Sequence, residues 1–271
     1  MAFEILHGAL SDVGRKRPHN EDRHCADPGL GLYVVCDGMG GGNAGEVASV
    51  MAVETIHRHF SEAIQHPDLP FIGDPDPGVS PVTNRLASAI RLANAAIHKS
   101  AEDRPEWSGM GTTVVAVALS EHLVSFAHVG DSRLYLIRNQ MIQPLTIDHS
   151  WVAEQVRQGL LTEEEAERSP RRNIVTRALG VEPTVDVTLG ELPLFPDDRL
   201  LLCSDGLTKG VQPSAILDTL LAADDAQTLS RRLISLANDA GGEDNTTVIV
   251  LAARLEEDLG LWQRLLERLA I

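Results

Sequence analysis

Five separated points along the chain put an acidic residue beside or at the end of a short apolar run: Asn20-Glu21-Asp22, Asp37-Gly38, Gly130-Asp131-Ser132, Ser204-Asp205-Gly206 and Glu243-Asp244-Asn245. Taken singly, an Asp before Gly or Asn after a strand is an ordinary turn. Repeated at equivalent strand ends of one sandwich, such acids converge, and carboxylates within a few Å repel one another unless cations neutralise them. The donors are oxygens, and the ten histidines show no HExxH or comparable spacing. That chemistry selects hard, octahedral ions, Mg²⁺ or Mn²⁺, and not Zn²⁺. Two such ions about 4 Å apart hold a bridging water, lower its pKa and aim it at phosphorus. An arginine is needed to grip phosphoryl oxygens, and Arg17, just upstream of Glu21, is placed for it. On charge pattern alone Arg15, Lys16 and Arg17 read equally well as a solvated basic patch.

The segment from Leu32 through Asp37 and Gly38 to Gly45 runs from a strand through glycines into a helix, and Gly40, Gly42 and Gly45 fit the dinucleotide pattern GxGxxG. In a nucleotide fold that helix would lead into a second parallel strand ending in an acid; here a proline-rich stretch and another helix follow. A better account has Asp37 ending a buried strand, with Gly38 leaving its carbonyl free to approach a cation. Asp74-Pro75-Asp76 suggests a calcium loop, but its twelfth position is Arg85 where Glu is required.

Short runs rich in Val, Leu and Ile at 32–36, 113–119, 123–129, 133–138, 199–203 and 246–252 read as strands. Between the first two lie two core-facing helices, one marked by Val47, Val50, Met51, Phe60 and Ile64, the other by Leu86, Ile90, Ala93 and Ile97. Pro67, Pro70, Pro75, Pro77 and Pro81 make the connection a surface loop. Strands near 113–145 succeed one another at hairpin distance, which implies antiparallel pairing. Residues 149–172 are polar, with Thr162 capping a helix start, and form a flap. In the tail 256–271, Leu259, Trp262, Leu265, Leu266 and Leu269 share a helical face expected to pack on the same domain.

The 271 residues suit one catalytic unit, 1–255, carrying that helical extension. A formal charge of −16 excludes nucleic acid and anionic membrane as main partners. Cys25, Cys36 and Cys203 lack CxxC spacing, which fits the reducing cytoplasm. No signal-like N-terminus is present, and no apolar run approaches the roughly 18 residues of a membrane span.

Together these residues resemble the bacterial branch of the metal-dependent protein phosphatases, the type 2C serine/threonine class. The matching stretches, in family order, are Ser11-Asp12-Val13-Gly14 with Arg17 and Asn20-Glu21-Asp22, Asp37-Gly38-Met39-Gly40-Gly41 with Gly45-Glu46 and Ala48-Ser49, Gly109-Met110-Gly111-Thr112-Thr113, Val129-Gly130-Asp131-Ser132-Arg133, Asp148-His149, Thr176-Arg177-Ala178-Leu179-Gly180, Ser204-Asp205-Gly206-Leu207 and Glu243-Asp244-Asn245-Thr246. The resemblance implies an α+β fold, a four-layer αββα antiparallel sandwich with helices on both outer faces and a flap at 149–172. It implies that Asp37 bridges two Mn²⁺ or Mg²⁺ ions, that Asp205 and Asp244 complete the first site, and that Glu21 and the Gly38 carbonyl serve the second. Asp131 with Asp205 would form a third site, Arg17 would bind substrate phosphate, and Asp22 would orient metal-bound water. The substrates implied are proteins phosphorylated on Ser or Thr, with a cognate kinase among them; a monomer is the default expectation. Many bacterial members carry His where Gly42 stands, and some eukaryotic members where Met39 stands. The proton for the leaving group is then expected from metal-bound water, with His149 as the alternative. Two further readings are a catalytically weak phosphoprotein-binding module and a Ca²⁺-stabilised β protein; the first sits poorly with Arg17, Asp37, Asp205 and Asp244, and the second leaves Arg17 and the glycine loop unexplained.

Overall fold

Strands covered on both faces show unbroken apolar runs instead of alternation, and the central strands here carry such runs because each lies between a partner sheet and a helix pair. The computed structural model describes residues 3–40, 44–120 and 122–255. The expected helix within 256–271, together with Gly41 and Gly42, lies outside them.

Eleven strands are formed by the described residues: β1 (Phe3–Asp12), β2 (Asp22–Asp27), β3 (Leu32–Met39), β4 (Gly111–Thr112), β5 (Val114–Ser120), β6 (Leu123–Val129), β7 (Arg133–Arg138), β8 (Met141–Pro144), β9 (Thr188–Pro193), β10 (Arg199–Cys203) and β11 (Thr246–Leu255). One sheet runs β1-β11-β10-β7-β8, the other β2-β3-β5-β6-β9 with the short β4 against β3, and the pairings are antiparallel. The helices are α1 (Ala44–Gln65), α2 (Pro81–Asp103), α3 (Trp151–Arg157), α4 (Glu163–Arg168), α5 (Asp205–Thr208), α6 (Pro213–Leu221) and α7 (Ala226–Asp239).

Three apolar layers hold these parts together. Tyr33, Val35, Val115, Val117, Leu134, Leu200, Leu202 and Ile249 meet between the sheets. Residues one position along the same strands, such as Leu32, Val34, Cys36 and Ala116, turn outward onto Ala52, Ile56, Phe60, Leu86, Ile90 and Ile97 of α1 and α2. On the far side Leu201, Cys203, Val248 and Val250 meet Ile216, Leu220, Leu229 and Leu233 of α6 and α7. The four-layer expectation is thus met. The proline-rich connection is irregular and pinned by α2: Arg85 hydrogen-bonds the Pro67 and Leu69 carbonyls, and its guanidinium stacks 4.1 Å from the Phe71 ring centroid. A buried Arg clasping its own loop explains why Arg85 stands where a calcium loop needs Glu.

One boundary differs informatively. The strand expected to stop at Cys36 continues through Asp37 and Gly38 to Met39, because Gly38 and Met39 pair with Thr112 and Gly111. Asp37 is therefore held by sheet geometry and not by a turn.

Candidate active site

Antiparallel order brings the end of β3, the β6–β7 turn, the end of β10 and the approaches to β2 and β11 to the same end of the sandwich. Register alone puts Asp22 opposite Asp37. The Asp37 backbone is fixed from β4 and β5: its carbonyl accepts from Thr113 N (2.8 Å) and Thr112 Oγ1 (2.9 Å), and its N–H donates to Thr113 Oγ1 (3.1 Å). Thr113 Oγ1 also shares a 2.7 Å bond with Ser132, the neighbour of Asp131. Gly38 is obligatory: a Cβ there would lie 2.1 Å from the Gly45 carbonyl oxygen. Asn245 docks the 13–21 loop, accepting from Glu21 N (2.8 Å) and donating to the Val13 and His19 carbonyls (2.9 Å each). Gly206 lets α5 approach that turn, since a Cβ would meet the Asn245 carbonyl at 2.0 Å.

These contacts surround a cavity of about 470 Å³ whose lining includes Glu21, Asp37, Gly38, Asp131, Asp205 and Asp244, with Arg17, Arg172 and Lys209 as cations. Asp22 does not reach it. That carboxylate is buried beneath, with Oδ2 accepting from Ser204 Oγ at 2.7 Å. The acids raise one another's pKa. Asp37 stands well above the carboxylate range, through burial first and then Asp22, Asp205, Asp131 and Asp244. Burial, then Asp205 and Asp148, lifts Asp131 to about 7. Burial lifts Asp22 to about 7 despite the opposing Ser204 bond. Glu21 and Asp205 are raised too, again chiefly by burial.

Positive charge reaches this cluster from two side chains. Arg17 Nε lies 2.9 Å from Asp244 Oδ1 and its Nη2 donates to Oδ2 at 3.0 Å; Lys209 Nζ lies 2.5 Å from Asp205 Oδ2 and 2.9 Å from Asp244 Oδ2. With the carboxylates turned onto these cations, no three acidic, His or Cys side chains among the described residues are closed round one point as an ion would require. Yet Asp205 Oδ1 is buried with no hydrogen-bond partner, and a mutually repelling, all-oxygen donor set suits a hard divalent cation. On those grounds the residues fit one.

Residues 149–172 fold as a helical excursion between strands. Helices α3 and α4 occupy 151–168, and Thr162 with Glu165 forms a full capping box. Arg172, Asn173 and Val175 bring its return limb to the cavity. At its root Arg133 makes a bidentate pair with Asp148 (2.9 and 2.7 Å). His149 is turned away from the cavity: its Nδ1 accepts from Gly130 N (3.1 Å), and its ring stacks 4.6 Å from that of His128. Burial, then His128 and Arg177, lowers its pKa to about 3. A ring so placed is no proton donor for a group in the cavity. Met39 lines the cavity and has no proton to give.

Several participants escape a reading of the sequence. Lys209 carries a signal only once Asp205 is known to begin a helix, for then i and i+4 share a face. Asn245 and Ser204 sat inside recognised motifs, but their docking roles depend on which loops meet. Arg172 depends on the path of the flap.

The protein phosphatase 2C family model matches residues 15–247. The serine/threonine phosphatase stp of Listeria innocua is 40% identical over 251 residues, 90% of this chain and 94% of that protein. The solved Mycobacterium tuberculosis serine/threonine phosphatase PstP/Ppp has a TM-score of 0.81 at 35% identity, covering 93% of this chain and 99% of that one. A structure of the PstP catalytic domain in complex with two manganese ions has a TM-score of 0.79 at 34% identity, covering 93% and 100%. With its acids gathered at one end of an αββα sandwich and these relatives spanning nearly all of its length, the chain belongs to the bacterial protein phosphatase 2C family, the metal-dependent serine/threonine protein phosphatases.

Proposed function

We propose that the acid-lined cavity is where this phosphatase hydrolyses phosphoserine and phosphothreonine in proteins, using two Mn²⁺ or Mg²⁺ ions. Asp37, Asp205 and Asp244 would hold one ion, and Asp37, Glu21 and the Gly38 carbonyl would hold the other. Asp131, with Asp205, offers a third. When bound, the ions supply an activated water for attack at phosphorus and neutralise the acids. The chain's own residues do the rest. Arg17 exchanges Asp244 for the phosphoryl oxygens, which a guanidinium can grip with two parallel bonds. Asp22, which accepts from Ser204 beneath the cavity and stands opposite Asp37 in the β2–β3 register, does not touch the cavity solvent it was expected to orient and acts only through the placement of Asp37. Thr113 and Ser132 hold Asp37 and Asp131 at fixed spacing.

The observation that carries this reading is the convergence of Glu21, Asp37, Asp131, Asp205 and Asp244 on one cavity with Arg17 at its side. The catalytic unit is residues 1–255, with 149–172 as a flap subdomain. Among the described residues no helix is long and apolar enough to cross a membrane, and the cysteines are unpaired. On the strength of its family we take the protein as a cytoplasmic monomer acting on phosphoproteins, a cognate Ser/Thr kinase among them.

The test is hydrolysis of an aryl phosphate and of a phosphothreonine peptide with Mn²⁺, Mg²⁺, Ca²⁺ or chelator. Turnover is expected with Mn²⁺ and to fall by about 100-fold or more in Asp37→Asn and Asp205→Ala. Turnover that ignores the chelator, or survives both substitutions, sinks the proposal.

A further inference from the structure

Lys209 caps the C-terminal end of α5, four residues after Asp205, and its side chain folds back over the carboxylate that begins the helix. There it joins two acids that come from different strand ends. Nζ lies 2.5 Å from Asp205 Oδ2 and 2.9 Å from Asp244 Oδ2. The side chain is about one-third exposed and borders the cavity, so the head has room to leave. An ammonium and a divalent ion want the same oxygen lone pairs, and two cations a few Å apart repel.

We propose that Lys209 is a built-in counter-cation that competes with the divalent metal for Asp205 and Asp244 and thereby sets the affinity of the site. This rests on the assignment of those two acids as metal ligands. Without an ion, Lys209 relieves the repulsion between them; binding an ion requires Nζ to release at least one carboxylate. The affinity for metal is therefore lower than the same acids would give alone, and the lysine, not the acids, is the place where it is adjusted.

The experiment is calorimetric titration of Mn²⁺ into the chelator-stripped full chain, with thermal melts of each form. Lys209→Met keeps the aliphatic stem and removes the charge. It is expected to bind Mn²⁺ about tenfold more tightly, to melt lower than wild type when stripped, and to gain more on adding Mn²⁺. Lys209→Arg should stay near wild type. Lys209→Gln gives the same comparison if the Met variant does not fold. Equal or weaker Mn²⁺ binding by the neutral variants overturns the inference while leaving the ligand assignment standing. If wild type takes up no Mn²⁺, or if Asp205→Asn binds it as well as wild type, the ligand assignment falls and this inference with it.

Discussion

At the scale of single residues, the cluster trades stability for chemistry. Asp37 carries the cost most clearly, since burial and four neighbouring acids all disfavour its charged form. The unfolded chain ionises this group near the ordinary carboxylate value, whereas the fold resists. Stability is therefore intact below that value and is lost as pH rises through the higher folded one. At pH 8 in chelator, Asp37→Asn removes the charge and keeps the shape. It is expected to stabilise the protein by about 1–2 kcal/mol in urea unfolding while abolishing metal-dependent turnover. A variant both inactive and less stable would show that the neighbours hold Asp37 more than they repel it. Much of this site was legible in the sequence because an acid at a strand end leaves a local mark, an apolar run followed by Asp and a small or amide residue. Lys209 left none, because its meaning depends on Asp244 arriving from 35 positions away. Asp22 was legible as an acid but not as a buried one, for its depth comes from Ser204 and the sheet above it.

At the scale of elements, legibility follows burial. Strands β6, β7 and β10 coincide with the apolar runs that foretold them, since both their faces are covered. By contrast β2, β8 and β9, with sequences DRHCAD, MIQP and TLGELP, carry no sustained apolar run; they are edge strands, and their pairing is set by the neighbour. The flap root joins both kinds of order. His149 N and O bond Gly130 and Thr176, so one residue ties the flap to the turn that carries Asp131. Its ring titrates near 6.5 in the unfolded chain and near 3 in the fold. Between those values the unfolded chain holds a proton that the fold refuses, so this contribution to stability is complete above 6.5 and is lost as pH falls toward 3. Because the side chain is partly exposed, screening leaves about 1–2 kcal/mol. Melts of the chelator-treated protein from pH 7 to 4 should therefore fall less steeply for His149→Asn than for wild type. Parallel slopes would mean that the acid limb belongs to other groups.

At the scale of the whole molecule, the formal charge of −16 opposes the approach of any phosphorylated, and hence anionic, substrate. Arg17, Arg172 and Lys209 line the cavity beside its acids, but their reach is limited to a Debye length of about 10 Å at 0.1 M salt, whereas the acidic surface is felt further out when salt is low. Selection should then begin before contact. Phosphopeptides with basic flanks are drawn in by the general field, and those with acidic flanks are turned away until salt screens it. With Mn²⁺ saturating, raising NaCl from about 20 to 200 mM should lower kcat/KM for a Lys/Arg-flanked phosphothreonine peptide and raise it for an Asp/Glu-flanked one, each by about two- to fivefold. The change should appear mainly in KM, because the chemistry inside the cavity is screened far less than the encounter. The same salt slope for both peptides would confine recognition to the phosphoryl group and its immediate contacts, and would remove the molecule's overall charge from any account of its substrates.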